Sequence, residues 1–369
     1  MSNLSGVLKE IPKAELHVHL KGAMPVEVFT GLLNEYLAQG ILETIPADHM
    51  ALFQQCENVR PFLSPRSWSV EEVERLFSYA DFDNFLYTWV FTGHFFRTAS
   101  DFGRLVTGVV ESLRSQNVAY AEITVAPPEY LQRGIPLEDL IACLEEGARL
   151  PGIRVQWIID LVRNNGVEEG LDLLGRVIDL RTPSIVGLTL GGAEHRYPPA
   201  QFEPVYDLAR EHGLRLSIHA GEALGPESVW DALRVLGAER LGHGVRAIED
   251  PALVRHIADR DIALEVSPTS NVCTGIYPSL EAHPVKALYE AGVPVTINTD
   301  DPTFFRTTLA EEYAHVHALG VPEEGILTMI ENGFRYSFLP GDEVGKYLDR
   351  VREAWSRPSS GGGTANGEE

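Results

Sequence analysis

The residues best able to do chemistry in this sequence are histidines and carboxylates at the ends of short apolar runs. His17 and His19 are one residue apart, and positions i and i+2 of a strand point to the same side. Such a pair begins many metal sites, although the same pattern also occurs in histidines that only pack in a core. Three further motifs end apolar runs later in the chain: HAGE at 219–222, LGHG at 241–244 and NTDDP at 298–302.

These motifs together predict a metal-dependent hydrolase. Three imidazoles and one carboxylate suit a divalent cation such as Zn²⁺, which also activates water for attack near neutral pH. We expect His243 and Glu222 to be acid–base groups that do not bind the metal. The ligand set predicted for the ion, with one position left for water, is His17, His19, His219 and Asp300. For Asp300 and Asp301 the simpler interpretation is a turn or helix cap.

The lysines bear on the number of metal ions. Many barrel hydrolases with these ligand types bridge two metals through a carbamylated lysine on the fourth strand. This chain has five lysines, and none lies near the fourth apolar run, which ends at Leu188-Thr189-Leu190. We therefore expect one zinc ion per chain.

Eight short apolar runs can position these residues. Nearly continuous apolar runs are typical of parallel strands buried on both faces, and helical patterns lie between them. Eightfold alternation of strand and helix predicts a (β/α)₈ TIM barrel, whose catalytic residues lie at the carboxyl ends of the strands. The runs are Ala14–Leu20, Val118–Ala126, Ile153–Val162, Ile185–Leu190, Leu214–His219, Arg240–Val245, Ile262–Ser267 and Pro294–Thr299.

The long interval after the first run predicts an insertion. Residues from about 22 to 117 read mostly as helices, and we expect them to form a lid over the barrel mouth. Extra helices are expected after the eighth run. We expect residues 1–356 to form one domain and the Ser/Gly-rich residues 357–369 to be a disordered tail.

Composition narrows the classes of partner. The chain has 369 residues, 44% of them hydrophobic, with 30 basic against 53 acidic side chains and a net charge of −23. Such a field disfavours nucleic acid as a partner. The three cysteines have no close spacing, and neither a signal peptide nor a membrane span is evident, so we expect a cytoplasmic protein with no membrane partner. The oligomeric state is not predicted.

The motifs resemble those of the adenosine deaminase family in the amidohydrolase superfamily. Around residues 82–102 the sequence is similar to a bacterial branch that includes adenosine, adenine and aminodeoxyfutalosine deaminases. The runs that carry the family resemblance span residues 12 to 302 and are PKAELHVHL (12–20), YAE (120–122), GGAE (191–194), HAGE (219–222), RLGHG (240–244), SPTSN (267–271) and NTDDP (298–302).

The resemblance implies hydrolytic removal of the 6-amino group of an adenine nucleoside, with water as the second reactant. It implies that Glu222 donates a proton to N1, which requires a raised pKa, and that His243 orients the water. It further implies that Asp300 both binds the metal and accepts a proton. Asp301 is then expected to contact N7, and the backbone of Gly192 to contact N3.

Position 21 departs from the family pattern. The residue two places after the second histidine is usually acidic and meets the ribose 5′-hydroxyl, whereas here it is Lys21. One hypothesis is that Lys21 binds an acidic group beyond the 5′-carbon, as in aminodeoxyfutalosine or a nucleotide. The alternative is a solvated lysine without a role, since exposed lysines are the norm.

Three other functions compete with this prediction. Free adenine as substrate is disfavoured because that branch is expected to have Glu at position 21. A catalytically inactive metal-binding signalling protein is disfavoured because all six candidate ligand and acid–base residues are present. A lactonase or phosphotriesterase type is disfavoured by the HAGE motif and by the missing strand-four lysine.

Overall fold

Eight short parallel strands pair in sequential order around the molecule. A computed structural model describes residues 4–79 and 82–356, so the tail expected over 357–369 lies outside the described part. The strands are β1 Lys13–His19, β2 Val118–Val125, β3 Arg154–Asp160, β4 Ile185–Thr189, β5 Arg215–Ala220, β6 Arg240–His243, β7 Ala263–Val266 and β8 Val295–Ile297. Each overlaps the run from which it was predicted, and the expected (β/α)₈ TIM barrel is confirmed.

The seam between β1 and β8 closes through the residue that follows β8. The His19 N–H donates to the Asp300 carbonyl at 2.8 Å, and the Asp300 N–H donates to the His17 carbonyl at 3.0 Å. The backbone of two predicted ligands on β1 is thereby joined to the backbone of a third. Closing the barrel therefore also brings these three predicted ligands together.

The strands are buried because helices cover them outside and side chains fill them inside. All eight residues of β2 are buried, as expected of a parallel strand between a barrel interior and a helical shell. Inside, Arg240 pairs with Glu265 at 2.6 Å and also with Glu122. These charges compensate one another in a region where an unpaired charge would be strongly destabilising.

Helices alternate with the strands and also form the predicted insertion and C-terminal additions. They are α1 Leu4–Glu10, α2 Val26–Ala38, α3 Ala47–Gln55, α4 Val70–Val73, α5 Phe82–Gly93, α6 Ala99–Ser115, α7 Pro127–Leu131, α8 Leu137–Ala148, α9 Val167–Leu180, α10 Glu203–Glu211, α11 Pro226–Arg234, α12 Pro251–Asp259, α13 Pro268–Cys273, α14 Val285–Glu290, α15 Pro302–Phe305, α16 Leu309–Ala318, α17 Glu323–Arg335 and α18 Gly341–Ser356.

Within the insertion, α5 contacts residues at the mouth of the barrel. Phe85 of α5 stacks on Phe305 of α15 with ring centroids 5.3 Å apart, and Trp89 of α5 contacts Lys21 just after β1. At the other end of the chain, α17 packs against β1 and β8 and covers the closing seam from outside. Within residues 4–79 and 82–356, no helix has the length and apolarity needed to cross a membrane.

Candidate metal centre and active site

The side chains of His17 and His19 lie at the carboxyl end of β1 and point into the barrel. His17 Nδ1 is 2.8 Å from Glu265 Oε2 and donates to it. Because that bond places the proton on Nδ1, the Nε2 lone pair faces the centre of the site. His17 Nε2 is buried and has no hydrogen-bond partner among the described residues. A buried acceptor that faces other acceptors has no hydrogen bond and is unfavourable for folding. The same arrangement is suited to binding a metal ion.

His219 and Asp300 bring their side chains to the same point. His219 Nε2 lies 3.2 Å from His19 Nε2, and Asp300 Oδ1 lies 3.2 Å from His19 Nε2 and 3.6 Å from His17 Nε2. Two nitrogens bound to one tetrahedral zinc ion are separated by about 3.3 Å, given Zn–N bonds of 2.0–2.1 Å. The three imidazoles each offer a nitrogen within 4.8 Å of the others, and Asp300 lies beside two of them, so the donor set is suited to a single divalent cation.

The backbone at the strand ends is adapted to this convergence. His243 and Asp300 have φ angles of 60° and 64°, in the left-handed region that non-glycine residues seldom occupy. Aspartate and histidine are among the side chains that tolerate it best, and such strain is concentrated at functional sites. The turn aims both side chains into the mouth of the barrel.

The two predicted acid–base groups lie beside the predicted metal ligands. His243 Nε2 is 3.6 Å from Glu222 Oε2 and 3.9 Å from Asp300 Oδ2. Burial, followed by the nearby charge of Asp300, raises the pKa of Glu222 from 4.5 to about 8. Glu222 therefore retains its proton at neutral pH, as a general acid must.

Glu194 holds the turn that carries Glu222. The sequence named this residue only as part of the GGAE motif. Glu194 is 4% exposed, and it accepts backbone N–H groups from Gly221, Ala223 and Leu224 at 2.7, 2.7 and 2.9 Å. It also accepts the Glu222 N–H at 3.3 Å. These charge-assisted bonds fix the turn that carries the acid. The GGAE motif includes Glu194, but the motif alone does not indicate that this side chain accepts backbone hydrogen bonds.

Comparison with known proteins places these features in one family. The family model for adenosine deaminase matches residues 12–354. The chain belongs to the adenosine deaminase family. An aminodeoxyfutalosine deaminase of Streptomyces avermitilis is 34% identical over 368 residues, covering 96% of this chain and 95% of that protein. An adenine deaminase of Rhizobium meliloti is 33% identical over 334 residues, covering 89% and 94% respectively.

A solved structure agrees with this assignment. The crystal structure of adenine deaminase from Arthrobacter aurescens matches with a TM-score of 0.80 and 26% identity, covering 94% of this chain and 100% of that chain. As a member of the adenosine deaminase family, the protein is a hydrolase that deaminates an adenine-type substrate.

Asp301 and Gly192 are the residues that the family resemblance assigns to N7 and N3 of the base. Asp301 is 7% exposed, and its Oδ1 has no hydrogen-bond partner among the described residues. Burial and the adjacent Asp300 raise its pKa. A Cβ on Gly22 would lie 1.8 Å from Asp301 Oδ1, so only glycine leaves room for this carboxyl group. Gly192 is exposed at the rim with φ of 96°, and its backbone is open to a ligand.

Lys21 is buried, which contradicts the hypothesis that it is a solvated lysine. It is 5% exposed, forms an ion pair with Glu129, and lies 3.9 Å from the ring centroid of Trp89. Trp89 Nε1 also donates to Glu129 at 2.9 Å. Burial lowers the pKa of Lys21 to about 8, with Glu129 opposing that shift. Lys21 after β1, Trp89 of the inserted helix α5 and Glu129 of α7 thus meet in one contact.

A second cation lies beside this contact. A Cβ built on Gly93 would be 2.5 Å from Arg133 Nη2 and 3.7 Å from Lys21 Nζ, so both cations border the same glycine. Among the ion pairs of the described residues, Arg133 has no carboxylate partner. The cluster of Lys21, Glu129 and Arg133 therefore has two positive charges and one negative charge. Sequence reasoning did not find Arg133, because nothing near it in the chain marks it.

Proposed function

We propose that this protein is a zinc-dependent aminohydrolase that converts an adenine nucleoside carrying a 5′-substituent to the inosine-type product and ammonia. The observation that carries the proposal is the carboxyl group of Glu222, whose pKa is raised by burial to about 8, beside a convergent set of three imidazoles and one carboxylate. Displacement of an amino group from C6 needs a proton on N1 and an activated water that attacks C6. Glu222 would supply the proton, and a metal ion held by the convergent set would activate the water.

Zinc, when bound, supplies a Lewis acid that makes water nucleophilic at neutral pH. The residues that would hold it are His17, His19, His219 and Asp300. Glu222 donates its proton to N1 as water adds to C6, and Asp300 accepts the proton released by the water. Asp300 passes that proton to the departing amino group, which leaves as ammonia, and the proton of the C6 hydroxyl group returns to Glu222 as the C6 carbonyl forms. His243 donates a hydrogen bond to the oxygen on which charge develops.

The remaining polar groups orient the base. The unpartnered oxygen of Asp301 is available to N7, and burial keeps this carboxyl group protonated enough to donate. The open backbone of Gly192 is available to N3. With Glu222 at N1, these contacts would address three ring nitrogens and would favour a purine over a pyrimidine.

The cluster of Lys21, Glu129 and Arg133 favours an anionic group beyond the 5′-carbon. Its net positive charge contrasts with a chain whose net charge is −23, so it is a local attraction in a repulsive field. Lys21 pairs with the carboxylate of Glu129, which supports the proposal that a carboxylate of the substrate can bind at the same ammonium group. The aminodeoxyfutalosine deaminase of Streptomyces avermitilis, 34% identical, has a name that indicates a 5′-substituted adenine nucleoside.

One observation favours free adenine as a second candidate substrate. The cavity lined by His19, Lys21, Trp89 and Glu129 has a volume of only about 10 Å³, too small for a ribose. A nucleoside whose ribose lay here would require these side chains to move apart. Free adenine has no ribose to place between them.

The test is kcat/KM for ammonia release by the zinc-loaded protein from adenosine, 2′-deoxyadenosine, adenine, AMP and a 5′-carboxyaryl adenosine. We expect the carboxyaryl compound to be preferred over adenosine by at least tenfold, about 1.4 kcal/mol of transition-state preference. Lys21→Met and Arg133→Met should remove that preference, whereas Lys346→Met, at an exposed lysine of α18, should not. A preference for adenine in both wild type and variants would establish the second candidate instead.

A further inference from the structure

A buried chain of hydrogen bonds runs from a backbone amide to the catalytic histidine. His283 lies between β7 and α14 and is 5% exposed. Its Nδ1 accepts the backbone N–H of Val285 at 3.1 Å. A backbone N–H can only donate, so His283 Nδ1 carries no proton and the proton of the neutral ring is on Nε2. Burial lowers the pKa of His283 to about 4, which keeps the ring neutral near pH 7.

The next link fixes the orientation of an amide. His283 Nε2 lies 3.0 Å from Asn271 Oδ1 and donates to it. The Asn271 oxygen therefore faces His283, and its NH₂ group faces the other way. That NH₂ group is 3.2 Å from His243 Nδ1. An amide NH₂ can only donate, so His243 Nδ1 accepts.

We infer that His283 and Asn271 are positioning residues that hold His243 as its Nε2–H tautomer. The inference rests on the proposed function for its consequence, though not for its geometry. The opposite tautomer would set two donors against each other at Asn271, and a buried donor without an acceptor is strongly disfavoured. His243 Nε2 then presents its proton to the space between Glu222 and Asp300, at 3.6 and 3.9 Å.

This assignment decides what His243 does in the reaction. An Nε2–H group in the site is a hydrogen-bond donor, and it has no lone pair with which to remove a proton from water. The proton of the attacking water must therefore go to a carboxylate, and Asp300 is the one that faces the ligand cluster. His243 stabilises developing negative charge on oxygen, and the direction of its hydrogen bond is fixed before substrate binds.

The test is the ¹⁵N spectrum of histidine-labelled, zinc-loaded protein, with His243 assigned by its absence in His243→Gln. We expect the His243 Nδ1 signal to be that of an unprotonated nitrogen and the Nε2 signal that of a protonated one. In Asn271→Asp a carboxylate accepts on both sides, so His243 Nδ1 should become protonated. There kcat should fall at least tenfold while KM stays within about threefold.

A second pair of variants keeps the test decisive if Asn271→Asp does not fold. Glutamine at position 283 can accept from Val285 and donate to Asn271, so His283→Gln should preserve the tautomer. His283→Leu should allow Asn271 to rotate and give a mixture. A protonated His243 Nδ1 in the wild type, or equal spectra for Gln and Leu, would overturn the inference. The spectra do not depend on turnover, so an inactive protein with the expected spectra would refute only the proposed deamination.

Discussion

Replacing Glu194 by glutamine should loosen the turn that carries the catalytic acid. Its Oε1 accepts from the Gly221 N–H and from the Ser228 hydroxyl, while its Oε2 accepts from three successive N–H groups at positions 222 to 224. Glutamine retains one oxygen. If that oxygen stays with the three N–H groups, the new NH₂ faces the Gly221 N–H at the 2.7 Å position, donor against donor.

The magnitude follows from counting these contacts. One buried N–H left without an acceptor is unfavourable by about 1–3 kcal/mol. Each of the three retained bonds loses its charged acceptor, a loss of about 1 kcal/mol apiece, because bonds to charged groups contribute about 1.5–3 and neutral ones about 0.5–1.5 kcal/mol. Allowing for relaxation, local opening becomes easier by about 4 kcal/mol. At 1.4 kcal/mol per tenfold, this is roughly a thousandfold.

Hydrogen–deuterium exchange measures this opening directly. The amides of residues 221–224 in Glu194→Gln should exchange roughly 10³-fold faster than in the wild type, and kcat should fall because Glu222 loses its fixed position. Zinc content should remain near one per chain. Glu211→Gln, at an exposed position of α10, is the matched control and should change neither quantity. Exchange accelerated by less than tenfold would show that the carboxylate does not hold the turn.

Three further outcomes are expected. Glu222→Gln should lower kcat by about 10²–10⁴ without loss of zinc, because the proton donor is removed but no ligand is; an ammonia-release assay with metal analysis checks this, and near-normal turnover would contradict it. A chelator should abolish activity and one equivalent of zinc restore it, whereas a requirement for two equivalents would refute the single-metal site. The pKa of His283 is lowered to about 4 in the folded state, so the unfolded state binds more protons between pH 4 and 6.5. Stability should therefore fall as pH drops through that window, by up to about 3 kcal/mol from this residue, and urea unfolding of His283→Gln should show a flatter profile.

The strands, and the convergence of the candidate site residues at their ends, could be predicted because both depend on local pattern. A parallel strand inside a helical shell must be apolar nearly throughout, and the chemistry must lie where it ends, so each polar interruption is informative. His17 and His19 share a side by the geometry of any strand. The expected closeness of Asp300 to them required only that β8 close against β1.

The environment of Lys21 could not be predicted in this way. Its partner Glu129 is 108 positions away, in the short helix α7 after β2, and Trp89 comes from the insertion. Whether a lysine is solvated or buried depends on where such loops fold back, and no periodicity encodes that. The roles of His283 and Asn271 could not be predicted either. They depend on the direction of the Val285 N–H, which residue type does not encode.

The seam between β1 and β8 affects when a metal ion can bind during synthesis of the chain. Leu16 and Asn298, one residue before His17 and two before Asp300, are hydrogen-bonded at 2.8 Å although 282 positions apart. On the ribosome, His17 and His19 emerge long before Asp300. If these residues and His219 bind one metal ion as proposed, the complete ligand set exists only after β8 docks, and we expect metal binding to follow folding. A chain truncated before β8 lacks Asp300, and we expect it to bind the metal more weakly than the full chain does.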